Sequence, residues 1–225
     1  MGIGKWMVAG IGLAAIGSVL ANGQNRSGSE RDGEEPAYDV VLSEDAFELR
    51  KYAPMIVAEV THTGSRRRAS GASFRRLAAY IFAQDRPAGG ERIAMTAPVI
   101  QERVDQEIVD QDQAIAMTAP VIQQETSDDQ WRMRFVMPAR FTMETLPKPP
   151  SDITLTQVPT RQVATVRFSG VARNNDWAVM EAMLIDWVAA QDLIAVGGIE
   201  YASYDSPMVP GRFRRNEVLI EVTPE

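Results

Sequence analysis

Histidine is the side chain most often used to move a proton or hold a metal near neutral pH, and this chain has one, His62. A serine triad would have to use that single imidazole. No HExxH pair and no GxSxG elbow accompanies it, so catalysis of the common kinds is not expected. The absence of cysteine also removes thiolate zinc sites, cysteine nucleophiles, disulfides and a lipid-modified cysteine. What stays open to His62 is a hydrogen-bonded place in the core or at its rim, or ligation of a metal or haem iron.

Arginine is the other residue with chemistry to offer. Arg66, Arg67 and Arg68 precede the first helix expected below, Arg75 and Arg76 lie on it, and Arg212, Arg214 and Arg215 come before the last strand. Most arginine runs are solvated faces; beside an apolar cleft, guanidinium forks suit a planar ligand that carries carboxylates. The eleven methionines, among them Met95, Met117, Met133, Met137, Met180 and Met183, read first as adaptable core filling. A thioether can also ligate haem iron, although nothing in the pattern selects one. The acidic stretch Glu102 to Asp112 has no glycine and lacks the spacing of a calcium loop, so it reads as a solvated loop.

These side chains must be positioned by an alternation of strands and helices. Phe47 to Tyr52 and Met55 to Thr63 alternate with a strand's period around an Ala53-Pro54 turn. Ser70 to Ala83 then places Phe74, Leu77, Ala78 and Ile81 at helical spacing, with Ser70 or Ser73 as cap. Ile153 to Val158, Gln162 to Gly170 and a helix from about Asn174 to Gln191 repeat this order. A shift of 106 residues, counted from the numbering, places Leu49 on Leu155, Val57 on Val163, Gly64 on Gly170 and Ile81 on Trp187. Strand-like RIAMTAPVIQ and WRMRFVMP follow the first helix, and IEYASYD and NEVLIEV the second. The expectation is an α+β fold: a duplicated strand-strand-helix-strand-strand unit, eight strands in a twisted barrel-like sheet with two helices, and a concave face or a cleft between the halves. His62 falls on the face of Ala58 and Val60, pointing inward.

Nine residues, IAMTAPVIQ, occur identically at Ile93 to Gln101 and Ile115 to Gln123. That doubling lengthens a hairpin or leaves one copy looped out, and either copy could hold the sheet position.

A net charge of -7 with scattered arginines argues against nucleic acid as a partner. Hydrophobic content of 45% and charged content of 24% fit a soluble body. At the N-terminus Lys5 precedes uncharged Trp6 to Ala21, which reads as a signal peptide over 1–21, or as an anchor if it is retained. Asn22 to Pro36 reads as a flexible acidic linker, leaving 37–225 as the folded domain. The expected location is therefore exported, periplasmic or secreted if the leader is cut and membrane-anchored if it is not, with membrane contact only through that segment.

The stretches FELRKYAP, RRLAAYIFAQD, IAMTAPV, WRMRFVMPARFTMETLPKP, VATVRFSG and RFRRNEVLIEV together resemble the SOUL haem-binding protein family, over roughly Tyr38 to Val222. The resemblance implies non-catalytic binding of haem or another porphyrin in an apolar pocket. Some animal members have a histidine, thought to ligate iron, where this sequence has Lys51, so no ligand carries over by position. The chain is similar instead to members that use apolar contacts and basic residues. The residues available to hold haem are then His62, Arg66, Arg67, Arg75, Arg76, Met180 and Met183, with His62 as the candidate iron ligand. The competing readings are an effector-type module for another apolar or cationic small molecule, and a structural protein whose cleft is filled by Trp177, Trp187 and methionines.

Overall fold

The computed structural model describes residues 34–86, 89–104 and 130–224. Its strands are β1 (Tyr38–Glu44), β2 (Phe47–Tyr52), β3 (Met55–Thr63), β4 (Val99–Val104), β5 (Gln130–Val136), β6 (Thr154–Val158), β7 (Arg161–Ser169), β8 (Leu193–Ser203) and β9 (Arg215–Pro224). Helix α1 (Arg66–Ile81) follows β3 and helix α2 (Asn174–Ala190) follows β7. All strands join one antiparallel sheet in the order β1-β2-β7-β9-β8-β4-β5-β3-β6. Once β1 is set aside, the order is symmetric about the β8–β4 pair in one respect: the strand that leads into a helix, β7 or β3, stands second from the outer edge of its half.

The architecture is thus α+β with two helices, but the sheet has nine strands and is not closed. The ninth is β1, whose Tyr38, Val40 and Leu42 turn a half-buried face inward. It is the outermost strand, and in YDVVLSE the outward Val41 stands between Val40 and Leu42, which hides the alternation that marks β2 and β3.

Helix α1 begins at Arg66, not at Ser70. Arginine is a good helix former, and the backbone carbonyl of Ser65 accepts from the amides of Arg68 and Ala69 at 2.9 and 3.0 Å. The first arginine run is therefore the opening turn of α1. Only Val99 to Gln101 of the first IAMTAPVIQ copy enters a strand, β4, because Pro98 has no amide to give a ladder. The second copy and Met117 lie outside the described residues, as do the expected signal peptide and most of the expected acidic linker and loop. No helix among the described residues is long and apolar enough to cross a membrane.

Each helix covers half of one sheet face. Leu77, Tyr80 and Ile81 of α1 pack on Ala58, Val60, Met133 and Phe135, and Leu184, Trp187 and Val188 of α2 pack on Ala164, Val166, Val218 and Ile220. At about 1.5–3 kcal/mol per large apolar side chain, these two layers fix which face of the sheet the helices cover. The other face mixes small apolar clusters with buried charge. Arg50 pairs there with Glu217, and Arg134 and Arg161 with Glu200. The end of the acidic linker is tied down: Arg215 donates to Glu35 at 2.6 Å, and the Ala139 amide to Glu34 at 2.7 Å.

Candidate functional site

The helices start from opposite ends of the sheet, since β3 and β7 run antiparallel within it, and their N-terminal turns flank an open strip of β4, β5, β8 and β9. That strip is the floor of a cleft of about 940 Å³, within the usual range for small-molecule sites. Val99, Gln101, Met133, Ser203 and Asn216 form the floor, α1 gives Arg66, Arg67, Ser70, Phe74 and Arg75, and the second wall runs from Gly170 to Trp177. Two local devices hold that wall: Asn216 Nδ2 donates to the Gly170 carbonyl at 3.0 Å, and Asp176 accepts from the Arg173 amide at 2.8 Å, closing the start of α2.

The charge of the lining is one-sided. Arg66, Arg67, Arg75, Arg173 and Arg214 line the cleft against a single acid, Asp205, and Asp205 already accepts the Arg215 amide at 2.6 Å. Among the described residues, none of the five arginines has a carboxylate partner. Arg214 donates to loop carbonyls, one of them Val209 at 2.8 Å.

Arg66 is held in another way. Its guanidinium carbon lies 4.0 Å from the Tyr201 ring centre, 4.7 Å from Trp177 and 5.6 Å from Trp131, a three-walled aromatic cage. Burial pulls this guanidinium below its ordinary pKa, with Tyr201 and Glu181 opposing. Tyr201 in turn donates to Glu181 at 2.8 Å. The cage fixes the fork at the cleft wall without using its N–H groups.

Of the residues expected from sequence, the structure brings Arg66, Arg67 and Arg75 together on the cleft. Arg76 lies elsewhere, donating to Asp152 at 2.5 and 2.6 Å and to Asp85. Met180 packs against the α2 core, and Met183 is 45% exposed outside the cleft. His62 points inward on the face of Val60, as its alternation implies, but it is outside the lining, with Nδ1 2.9 Å from Ser73 Oγ. That serine is 1% exposed under α1, so this Ser-His contact meets no substrate and serves packing. No group of three or more histidine, cysteine or carboxylate side chains suits a metal among the described residues. Trp187 does not fill the cleft: it stacks on Phe47 and donates to Glu44 at 2.8 Å.

Sequence reasoning missed Gln101, Trp131, Arg173 and Tyr201. Trp131 and Gln101 had a legible signal, since strand alternation puts them on the helix-covered face. The convergence of Arg66 with rings from β5, α2 and β8 had none, because it depends on how two distant helices sit on the sheet.

The family model described as SOUL heme-binding protein matches residues 33–221. Nothing among curated proteins matches the chain. Among solved structures, the C-terminal domain of EcmrR is similar at 11% identity and a TM-score of 0.56, over 80% of this chain and 98% of that one. An uncharacterised conserved protein from Listeria innocua is similar at 11% identity and 0.53, over 79% and 92%. A hydrolase from Listeria innocua is similar at 10% identity and 0.51, over 81% and 94%. At such identities these likenesses show a shared fold alone.

Proposed function

Because this chain belongs to the SOUL heme-binding protein family, we propose that it binds haem or a related tetrapyrrole in the cleft between the two helices, without catalysis of its own. The observation that carries this reading is the five-arginine lining over a floor of Val99 and Met133, in a chain whose net charge is -7. A tetrapyrrole is a flat apolar body with carboxylates on one edge, and arginine forks above apolar side chains complement both parts. His62 lies off the cleft with Nδ1 engaged, which supports a site of apolar contact and charge over one built on an iron ligand. The leader Trp6 to Ala21 supports an exported or membrane-tethered carrier or buffer. The symmetric strand order supports an origin by duplication.

The test is a titration of the full chain with haemin, followed at the Soret band. A saturable change at one haem per chain is expected. No saturable change at micromolar protein would sink the reading.

A second cavity favours the effector-type reading. It measures about 600 Å³, lies between the Ala53–Ile56 turn and the Met137–Glu144 loop, and is lined by Met55, Met137, Phe141 and Met143 with Glu34, Glu35 and Glu144 and no lysine or arginine. Those side chains suit an apolar cation, and competition between haemin and such a cation separates the sites: independent binding assigns one to each.

A further inference from the structure

Three hydrogen-bond donors are unused at the cleft: two belong to lining residues, Arg66 and Gln101, and the third to Trp131, whose ring lies behind Arg66. Gln101 Nε2 and Trp131 Nε1 are buried without an acceptor. The Arg66 fork has aromatic faces around it and, among the described residues, no acceptor. The three belong together. Gln101 stands opposite Met133 in the β4–β5 ladder, and Trp131 is two residues from Met133 on the same face. Arg66 lies beside the Trp131 ring and lines the cleft with Gln101.

Buried donors are nearly always satisfied in native proteins, and those that are not call for a partner. A water molecule has two acceptor sites and could serve the two neutral donors, but it would add no charge beside the guanidinium, whose acidic neighbour Glu181 is bound to Tyr201. A carboxylate has about four lone-pair positions and a full charge. The nearby acids are engaged, Asp205 with the Arg215 amide and Glu181 with Tyr201, so the protein does not supply it from those side chains.

The geometry points to a carboxylate seat inside the cleft, made of Arg66, Gln101 and Trp131, that takes an inward-turned carboxylate of the ligand. This rests on the tetrapyrrole reading and deepens it. One propionate turns inward to the seat while the ring lies on Val99, Met133 and Phe74, and the other stays at the rim with Arg67, Arg75 or Arg173. Recognition then depends on the acid groups and not on the metal.

The full chain is titrated with protoporphyrin IX and with its dimethyl ester, by quenching of porphyrin and tryptophan fluorescence. In the wild type the ester binds about tenfold or more weakly than the acid, as loss of charge-assisted hydrogen bonds requires. Gln101→Leu and Arg66→Met weaken the acid, leave the ester unchanged and so narrow the gap to the part that the rim carboxylate keeps. Trp131→Phe keeps the ring of the cage and removes only the N–H, so it narrows the gap even if the other two variants disturb folding. Equal binding of acid and ester in the wild type overturns the seat while leaving the tetrapyrrole reading intact. A gap that all three substitutions leave undiminished does the same and assigns the donors to bound water. Failure of every porphyrin to bind overturns both.

Discussion

Arg50 and Glu217 meet in a bidentate pair on the sheet face away from the helices, with Nη1–Oε2 at 2.7 Å and Nη2–Oε1 at 3.1 Å and side-chain exposures of 1% and 0%. Their remaining hydrogen-bond capacity is also used. Arg50 donates to Glu48 at 2.7 Å and to the Tyr52 hydroxyl at 3.1 Å, and Tyr204 donates to Glu217 at 2.6 Å. The pair ties β2 to β9 across β7. Removing one partner unbalances the buried charge, leaving Arg50 with Glu48 alone or Glu217 with the longer contacts to Arg167 and Arg215, so Arg50→Met or Glu217→Leu alone costs up to about 3–5 kcal/mol, whereas the double variant recovers part of the loss. Urea unfolding of the four forms measures it, and additive single losses would contradict it.

The same network sets how stability depends on pH. Burial by itself would raise the Glu217 carboxyl, but Arg50, Tyr204 and Arg215 outweigh it and hold the group below its ordinary value of 4.5. Because the folded-state value is depressed, its contribution is full above the ordinary value and is lost as pH falls through the folded one. Burial pushes Tyr52 the other way, up to about 12 from 10.0. A raised value means stability that is full below pH 10 and is lost as pH rises through about 12. Denaturant melts across pH should show both limbs. Glu217→Gln should flatten the acid one and Tyr52→Phe the alkaline one.

Two glycines at matching places form the exits from β3 and β7 toward the helices. Gly64 has φ 118° and Gly170 φ 125°, and an added Cβ at either meets no atom within 4 Å. The cost of alanine there is backbone strain alone, roughly 1–2 kcal/mol at each site. Thermal melts of Gly64→Ala and Gly170→Ala should show nearly equal losses; a neutral substitution at either would mean that the exit relaxes. Since Gly170 also lines the cleft, only its variant should weaken the ligand.

Those glycines show what a sequence can disclose. Alternation identified β2 and β3 to the residue and placed both helices, because strand period, terminal glycine and apolar stripe are local features. It did not identify β1, an edge strand whose outward Val41 hides the alternation, or the true start of α1, where arginines give no amphipathic signal. In the site, the run Arg66 to Arg68 was visible as charge. Which arginine points where was not: Arg66 goes inward because three rings from separate elements draw it there, while Arg76, nearly three turns on, is turned away by Asp152 and Asp85.

That difference separates two arginines that look equivalent in the sequence. Arg75 lines the cleft with no carboxylate partner, so Arg75→Glu, like Arg173→Glu, should weaken haemin binding about tenfold and flatten its dependence on salt. Arg76→Glu removes a partly exposed ion pair and should cost at most about 1 kcal/mol of stability with affinity unchanged. Equal effects at positions 75 and 76 would mean that the ligand is attracted by the general field of α1 and not seated in the cleft.

His62 offers the sharpest contrast between an iron-ligated site and one of charge and apolar contact. It is the one imidazole in the chain, and its Nδ1 is bound to Ser73 outside the cleft lining. His62→Ala should therefore leave the Soret position and the haemin affinity as they are, while losing about 0.5–1.5 kcal/mol of stability with the hydrogen bond. Iron-free protoporphyrin should bind within about threefold of haemin, since less than 1 kcal/mol separates ligands that share every contact except the metal's. A Soret shift in the His62 variant, or protoporphyrin binding a hundredfold weaker than haemin, would mean that α1 moves aside when haem enters and hands the imidazole to the iron.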